Sequence, residues 1–284
     1  MTIDAVIVLY NPDENQVLRN IEIISLKVRQ CYVIVNSCND DIIKKILGYD
    51  KCVVINNNAN IGLSKSLNIG LKQVIKNDAN AVILFDQDSM PEDTFFCRML
   101  ESYHNLIHLG EKVGAIGSNS YDTKNIDYSK KDLSPIKEVS FVITSGCLIP
   151  IKTLKEVGLM DETFFIDYID YEWCFRALSK NYKIFVSTSA ILHHNLGDKL
   201  VGVLNIKKPI HNNVMRHYHI IKNQLIIVCR DYIPLQWRIK HFFKIFYRIP
   251  GYIIYSVNSR QSAKNIYKAV KDFIKMKNKN KYLY

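Results

Sequence analysis

The stretch Leu84-Phe85-Asp86-Gln87-Asp88-Ser89-Met90-Pro91-Glu92 decides the fold class of this chain. It ends an apolar run, residues 81–85, that is too short for a helix and has no polar alternation, a pattern typical of a buried parallel strand. On an extended backbone residues i and i+2 point to the same side, so Asp86 and Asp88 can face one ligand. The strand therefore presents two carboxylates at its carboxyl end.

The residues after these aspartates predict that a helix starts at once. Ser89 and Glu92 fit a capping box, with Pro91 in the first helical turn. The carboxyl edge of an open α/β sheet is where ligands bind. Paired carboxylates there suit Mg²⁺ or Mn²⁺ bridging to phosphate oxygens, because hard cations prefer oxygen ligands. Aspartates are also common turn formers at strand ends, so this motif alone leaves both interpretations open.

Apolar runs alternate with helical patterns through the first part of the chain. Strands are predicted at residues 3–9, 31–35, 52–55 and 114–118, and helices at residues 14–26, 41–47 and 64–75. This alternation predicts βαβ units and an α/β fold with a mostly parallel sheet flanked by helices. Residues 139–150 also fit a strand, interrupted at Gly146, where a missing side chain allows either a close approach of substrate or a bulge. The polar stretch 121–135 is predicted to be a long loop.

The positive charge of the chain is concentrated at its end. The 284 residues carry a formal net charge of +11, and the residues from 207 onward hold 17 Lys and Arg against two acidic residues. Such asymmetry indicates a polyanionic partner surface, either nucleic acid or anionic lipid. The 7 cysteines are odd in number and none are spaced as Cys-x-x-Cys, which argues against a disulfide framework or a zinc site and favours a reducing compartment. The amino terminus lacks the basic region of a signal peptide, and no stretch approaches a spanning helix, so we expect a cytoplasmic protein.

The tail from residue 215 to about residue 257 is predicted to be helical. Within residues 235–249, one face carries Ile239, Phe242, Phe243 and Phe246, and another carries Lys240, Lys244 and Arg248. This is the pattern of a basic amphipathic helix on a membrane surface. A helix packed on the core shares the same periodicity, so that alternative stays open.

Three further motifs combine polar or charged residues with strand or helix ends. Residues 60–70 form an Asn-rich loop and a helix start, where Gly62 permits a close backbone approach and Lys65 adds a cation beside helix N–H groups that can hold phosphate. Residues 164–176 hold three carboxylates among aromatic side chains that can raise a carboxylate pKa, as a general base requires, although acidic residues also favour helix starts. His194 follows a late apolar strand and could contact a metal or a phosphate.

Taken in the order in which they occur along the chain, these motifs resemble those of the family 2 glycosyltransferases, inverting enzymes with a GT-A (Rossmann-like) fold. The resemblance covers residues 3–200 and is strongest to bacterial rhamnosyltransferases of cell-surface polysaccharide synthesis. It implies that Asp170 is the catalytic base and that Asp86, Asp88 and His194 hold Mg²⁺ or Mn²⁺. It implies a donor site lined by Leu9, Tyr10, Asn11, Asn36, Asn60, Gly62, Lys65 and Gln87. It implies an acceptor site lined by Gly146, Asp167, Tyr168, Glu172 and Trp173.

Two positions depart from the family pattern. Asn36 stands where the family has an aspartate that reads the pyrimidine, and Ile169 stands where a glutamate often precedes the base. We expect a catalytic domain over residues 1–206 and a helical, basic, membrane-associating region over residues 207–284. The implied donor is dTDP-L-rhamnose and the implied acceptor a lipid-linked saccharide at the inner face of a bacterial plasma membrane.

Three alternatives remain at this point. A UDP-hexose or UDP-galactofuranose transferase would share the fold and the mechanism. A non-catalytic polyanion-binding protein would use the basic tail, with strongly salt-dependent binding. A nucleotidyltransferase would want a Gly-rich basic loop after the first strand, where the chain instead has Asn11-Pro12-Asp13-Glu14.

Overall fold

The computed structural model describes residues 1–122, 134–194, 200–203, 206–209 and 213–278. The chain forms two compact units. The first comprises Met1–Phe165 and Ile169–Asn195, and the second comprises Ile166–Tyr168 and Leu196–Tyr284. The expected division at residue 206 stays a prediction.

The first unit alternates strands and helices. Its strands are β1 (Ile3–Tyr10), β2 (Gln30–Ser37), β3 (Cys52–Asn56), β4 (Ala81–Asp86), β5 (Met90–Pro91), β6 (Val113–Asp122), β7 (Ile136–Val139), β8 (Cys147–Pro150) and β9 (Lys183–His194). Its helices are α1 (Glu14–Lys27), α2 (Asp40–Ile46), α3 (Leu63–Lys76), α4 (Phe95–His108), α5 (Ile151–Val157) and α6 (Ile169–Ser179). Asp13 caps α1 and Asn39 caps α2 by accepting a backbone N–H, which satisfies one open donor of each first turn.

Within the described residues, these strands form one sheet in the order β3-β2-β1-β4-β8-β6-β9-β5, with β7 beside β9. Strands β3, β2, β1 and β4 are parallel, as are β6 and β9, whereas β8 runs antiparallel to both of its neighbours. The carboxyl ends of β1, β2 and β4 therefore meet at one edge. The predicted α/β class is confirmed.

The core lies on both faces of the parallel strands. On one face Ile7 of β1 belongs to the same buried cluster as Ile21 of α1 and Phe95 of α4. On the other face Gly70 of α3 lies so close to Val6 that a Cβ would stand 2.5 Å from its Cγ1. Helix α3 can therefore approach the sheet only because residue 70 is a glycine.

The predicted capping box is wrong. Residues Met90–Pro91 form β5, which pairs with β9 and ends the sheet, and α4 begins only at Phe95. A proline is tolerated on such an edge strand because it need not donate to the ladder. Ser89 is buried and its hydroxyl lies 2.5 Å from the Ser145 hydroxyl instead of capping a helix.

The predicted strand at residues 139–150 and the predicted loop at residues 121–135 have different bounds in the structure. The run 139–150 is divided between the end of β7 and β8, which are separated by turns. The expected loop at 121–135 starts later, because β6 continues to Asp122. Residues 123–133 lie outside the described part of the chain.

The second unit holds helices α7 (Val214–Ile227), α8 (Leu235–Tyr255) and α9 (Ser259–Asn278), with a short antiparallel pair, β10 (Leu200–Val203) and β11 (Ile206–Pro209). The predicted helical tail is thus two helices before residue 257, separated around Pro234. Its inner residues include Ile221, Ile245 and Ile266. Every helix in the described residues is too short or too polar to span a bilayer.

The predicted apolar face of α8 is exposed. Ile239, Phe242, Phe243 and Phe246 expose 49%, 46%, 63% and 64% of their surface. The predicted basic face is corrected at one position. Arg248 turns inward and donates to the Tyr168 hydroxyl and to Gln224 Oε1, both at 2.6 Å.

Candidate active site

The Asp86-Gln87-Asp88 turn is fixed to β1 by Gln87. The Gln87 side chain accepts the Tyr10 N–H through Oε1 at 2.8 Å and donates to the Tyr10 carbonyl through Nε2 at 3.2 Å. Gln87 was predicted to contact the donor, but both polar ends of its amide are used within the protein. It holds the two carboxylates at the end of the parallel sheet.

Helix α1 fixes the same turn from the other side. Asn20 Nδ2 donates to the Gln87 carbonyl at 3.0 Å, and Gln16 Nε2 donates to the Asp88 carbonyl at 3.2 Å. The sequence interpretation missed both residues. A signal was present, because Asn20 interrupts the apolar stripe of Val17, Ile21 and Ile24, and a buried amide needs partners.

The start of β8 connects to the first aspartate. The Ser145 hydroxyl accepts the Asp86 N–H at 3.2 Å, and the Gly146 N–H donates to the Leu84 carbonyl at 2.8 Å. Gly146 has a φ of +70°, and an added Cβ would stand 2.8 Å from Leu192 and even closer to the Ser118 hydroxyl. Protein atoms therefore fill the space beside Gly146, where an acceptor contact was predicted.

Asp170 lies in the first turn of α6, near the same strand. Its Oδ1 accepts the Tyr171 N–H at 2.9 Å. Burial chiefly raises the pKa of the Cys147 thiol, and the neighbouring Cys174 and Asp170 raise it further. Burial also raises the pKa of Cys174 to about 12, with the Asp170 carboxylate contributing. The Asp170 carboxylate thus contributes to the electrostatic environment of Cys147, the first residue of β8.

Two of the predicted acceptor residues, Glu172 and Trp173, point into the protein. Glu172 is 1% exposed, and its carboxylate accepts two hydrogen bonds from the Arg176 guanidinium, at 2.7 and 3.0 Å. The same guanidinium donates to the carbonyls of Val157 and Leu159, each at 2.7 Å. The buried Trp173 donates its indole N–H to the Gly158 carbonyl at 2.8 Å. This geometry argues against acceptor contacts and makes both residues supports for α6.

Asn36 is buried and fully engaged at the end of β2. Its Oδ1 accepts from the Ser66 hydroxyl at 2.8 Å and from Asn57 Nδ2 at 3.0 Å, and its Nδ2 donates to the Gly62 carbonyl at 3.4 Å. An amide can both accept and donate in this way, whereas the aspartate of the family pattern cannot. Asn36 therefore shapes the loop before α3.

Helix α3 supports the segment that leads to Asp170. Gly62, with a φ of +90°, lies against Phe165, and the Leu63 N–H donates to the Phe165 carbonyl at 2.6 Å. Asn68 accepts the Met160 N–H at 2.9 Å and donates to its carbonyl at 2.9 Å. The motif that suggested a phosphate loop thus also braces residues 160–165.

The other predicted residues are divided between the two units. Leu9 is buried, Tyr10 is 50% exposed, and Asn11 accepts the Ser37 hydroxyl at 2.6 Å. Asn60 accepts the Gly62 N–H at 3.1 Å, and Lys65 is exposed in the first turn of α3. His194 ends β9, but its side chain lies outside the described part of the chain. Asp167 and Tyr168 belong to the second unit, where Arg216 and Arg248 contact them.

Within the described residues, no three His, Cys, Asp or Glu side chains gather as a metal-binding cluster. The two aspartates of the turn still suit a hard cation. Mg²⁺ in phosphate chemistry commonly takes only one or two carboxylates, with substrate oxygens and water completing its shell. The donor set therefore fits Mg²⁺ or Mn²⁺ held jointly with a diphosphate.

Comparison with known proteins places the chain among sugar transferases. It matches no family model. It is 31% identical over 246 residues to dTDP-rhamnosyl transferase RfbF of Shigella flexneri, covering 81% of each chain. A solved structure of S. aureus TarS 1-349 in complex with UDP-GlcNAc is similar at a TM-score of 0.60, with 15% identity over 96% of this chain and 81% of that chain.

Two more solved structures show the same fold at low identity. S. aureus TarS has a TM-score of 0.61 and 12% identity, over 97% of this chain and 49% of that chain, so this chain spans about half of its length. GalNAc-T7 with UDP, GalNAc and Mn²⁺ has a TM-score of 0.55 and 10% identity, over 96% of this chain and 57% of that chain. With the fold and the relative in agreement, the chain belongs to the glycosyltransferase family of dTDP-rhamnosyl transferase RfbF and has a GT-A fold.

Proposed function

We propose that the protein transfers L-rhamnose from dTDP-L-rhamnose to a saccharide acceptor with inversion at the anomeric carbon. The name of its relative, dTDP-rhamnosyl transferase, supports this donor. The observation that carries the proposal is the Asp86-Gln87-Asp88 turn at the carboxyl end of the parallel strands, which hydrogen bonds from Gln87 to β1 and from α1 hold in place. Two functions follow, one for this turn and one for Asp170.

The first function is the binding of the donor diphosphate. Asp86 and Asp88 would hold Mg²⁺ or Mn²⁺, which supplies positive charge to the departing diphosphate when bound. Gln87, Asn20 and Gln16 keep these carboxylates in place by fixing the backbone of their turn. We assign His194 to the same metal or diphosphate, and the exposed Lys65 to the diphosphate. Leu9, Tyr10 and Asn11 would line the nucleotide pocket, whose neighbouring loop is shaped by Asn36.

The second function is the activation of the acceptor. Asp170 takes the proton of the acceptor hydroxyl as its oxygen attacks the anomeric carbon. The bond from that carbon to the diphosphate oxygen breaks at the same time, and its electron pair leaves with the diphosphate. Attack from the opposite face gives inversion without a covalent intermediate on the protein.

The second unit supports an acceptor carried on a lipid. Its helix α8 exposes Phe242, Phe243 and Phe246, and α9 exposes a row of cations at Arg260, Lys264, Lys268, Lys271 and Lys275. Aromatic side chains insert at the headgroup boundary, and lysines near an anionic leaflet add about 1 kcal/mol each. We therefore place the protein at the inner face of the plasma membrane, where it would meet a lipid-linked saccharide.

Donor binding tests the proposal directly. Titration calorimetry would compare dTDP-rhamnose with UDP-glucose, UDP-galactose and UDP-galactofuranose, each with and without Mg²⁺ or Mn²⁺. We expect selective, metal-dependent binding of dTDP-rhamnose. A preference for a UDP-sugar would overturn the donor but leave the mechanism, and strongly salt-dependent nucleic-acid binding with no sugar-nucleotide binding would overturn the proposal.

A further inference from the structure

The turn at residues 166–168 has an unusual backbone. Asp167 and Tyr168 are consecutive non-glycine residues with φ values of +64° and +68°. A side chain disfavours this left-handed region because its Cβ crowds the backbone, so such residues persist where the surrounding structure holds them. Strained residues of this kind cluster at functional sites.

Three side chains of the C-terminal helices hold this turn. The Arg216 guanidinium binds the Asp167 carboxylate through Nε at 3.0 Å and Nη2 at 2.8 Å. Arg248 Nη1 donates to the Tyr168 hydroxyl at 2.6 Å. Asn223 Nδ2 donates to the backbone carbonyls of Ile166 and Asp167 at 2.6 and 3.1 Å.

These contacts are too enclosed to be ordinary surface pairs. The side chain of Asp167 is 16% exposed and that of Arg216 is 33% exposed. Tyr168 is buried, and Arg248 is anchored a second time by Gln224 Oε1 at 2.6 Å. A bidentate Arg–carboxylate pair fixes direction as well as distance.

The turn leads straight into α6. Helix α6 begins at Ile169, the residue after Tyr168, and Asp170 is its second residue. A change in the φ of Tyr168 therefore moves the start of the helix that carries Asp170. Misplacement of a reacting group by about 1 Å can lower a rate a hundredfold.

We propose that Arg216 and Arg248 are positioning residues for the transfer step, which hold the 166–168 turn so that Asp170 faces the acceptor hydroxyl. The inference rests on the proposed role of Asp170 as the base. It also gives Asp167 and Tyr168 a different task from the predicted acceptor binding, because their polar groups face the C-terminal helices.

A double-mutant cycle separates the two tasks. The variants are Asp167→Asn, Arg216→Gln and their combination, assayed with dTDP-rhamnose and a saccharide acceptor. We expect each single change to lower kcat about tenfold or more with the donor KM unchanged. The combination should be no slower than the worse single variant. Additive losses, with Asp167→Asn raising the acceptor KM, would show direct acceptor binding and overturn the proposal.

The contact between Arg248 and the Tyr168 hydroxyl has its own conservative test. Tyr168→Phe removes the hydroxyl that Arg248 binds but keeps the buried ring, so the fold should survive while kcat falls. Arg216→Lys keeps the charge but loses the fork, and it should recover part of the activity that Arg216→Gln loses. Arg98→Gln removes an exposed pair with Glu101 and should leave kcat unchanged.

Hydrogen exchange gives a readout that needs no activity. Amides at the start of α6 should exchange faster in Arg216→Gln than in the wild type, while those of β4 stay unchanged. Unchanged exchange in α6 would overturn the positioning role. Full transfer by Asp170→Asn would instead remove the proposed base, so failure of the proposed function is seen separately from failure of this inference.

Discussion

The side-chain amide of Gln87 pairs with both polar groups of the Tyr10 backbone, at 2.8 and 3.2 Å. This pair joins the ends of two neighbouring parallel strands, β1 and β4, at the edge where Asp86 and Asp88 stand. The amide of Gln87 therefore links β1 and β4 in the way that a backbone hydrogen-bond pair links two strands. This link continues the strand pairing into the turn.

Replacement of Gln87 tests this bridge. Gln87→Leu removes both hydrogen bonds, and we expect a loss of about 1–2 kcal/mol in the free energy of unfolding. Donor affinity should fall about tenfold because the carboxylates lose their fixed turn. Gln30→Leu removes one amide contact, to the Lys51 carbonyl at the other end of β2, and should leave donor affinity unchanged. Wild-type affinity in Gln87→Leu would disprove the bridging role, as measured by calorimetry and thermal melts.

The backbone conformation of Gly62 and its contact with Phe165 together predict a cost of substitution larger than that at Gly110. A Cβ at Gly62 would stand 2.6 Å from the Phe165 ring and 2.8 Å from its carbonyl, whereas a Cβ at Gly110 would meet nothing within 4 Å. Both glycines have positive φ, +90° and +75°. Gly110→Ala should therefore cost about 1 kcal/mol from backbone strain alone, and Gly62→Ala about 2–4 kcal/mol in all. Equal unfolding midpoints of the two variants in urea would show that neither the Phe165 contact nor the backbone conformation makes Gly62 the more demanding position.

The sequence is sufficient for those parts of the site that depend on strand order. An apolar run ending in Asp86 and Asp88 and the alternation before it predict the parallel sheet and its ligand edge, because period and length are local properties. The capping box was wrong because the partner of Met90–Pro91 is β9, about a hundred residues away, and no local pattern reports such pairing. Propensity yields to tertiary pairing in such cases.

The orientation of polar side chains was the least predictable feature. Asn36 and Gln87 are residue types that often bind ligands. Here their side-chain amides instead form hydrogen bonds with backbone groups and side chains that are distant in sequence. Glu172 is different, since its i,i+4 spacing to Arg176 is typical of an ion pair within one helix, a signal that the acceptor prediction overlooked. The sequence thus predicts which residues come near the site better than it predicts which of them face a substrate.

The base assignment predicts a separation of binding from transfer. Asp170→Asn keeps size and polarity but cannot take a proton, so kcat should fall at least about a hundredfold while donor affinity is unchanged. Asp50→Asn, at an exposed position on the first unit, should keep wild-type kcat. The measurement is release of dTDP with a saccharide acceptor, set beside calorimetry of the donor. Transfer within twofold of wild type would remove Asp170 from the mechanism.

His241 predicts how the second unit responds to acid. It is buried and stacks on Trp237 with ring centroids 3.5 Å apart. Burial, with the positive charges of Lys244, Arg248 and Lys240 adding to it, lowers the pKa of His241 to about 4. The unfolded chain, with an ordinary pKa near 6.5, then binds more protons between these values. The contribution of His241 to stability is complete above about pH 6.5 and is lost as the pH falls toward about 4.

We therefore expect His241→Phe, which keeps a stacked ring, to lose less stability between pH 7 and pH 5 than the wild type does. Thermal melting across this range would measure the slopes. His108→Phe changes an exposed histidine and should follow the wild-type slope. If stability depends on pH in the same way in His241→Phe and in the wild type, the His241 imidazole binds its proton equally well in the folded and the unfolded protein, and the prediction is wrong.

The exposed aromatic face of α8 predicts binding to anionic vesicles. Phe243 and Phe246 expose 63% and 64% of their surface, far more than a helix packed on a core would leave. Burial of one such side chain in a membrane interface gains about 1.5–3 kcal/mol. Phe243→Ser with Phe246→Ser should therefore weaken vesicle binding at least about tenfold, with little effect of salt. Lys268→Gln with Lys271→Gln on α9 should weaken it in a way that disappears at high salt, because exposed charges are screened.

The control for this surface is an equally exposed apolar residue elsewhere. Leu109 is 74% exposed at the end of α4, in the first unit, and Leu109→Ser should leave vesicle binding unchanged. Sedimentation with vesicles of anionic and of zwitterionic phospholipid would give the partition coefficients. If the double Phe variant binds like the wild type, the aromatic face does not insert into the bilayer. Binding by that variant that still disappears at high salt would leave the basic row on α9 as the membrane contact.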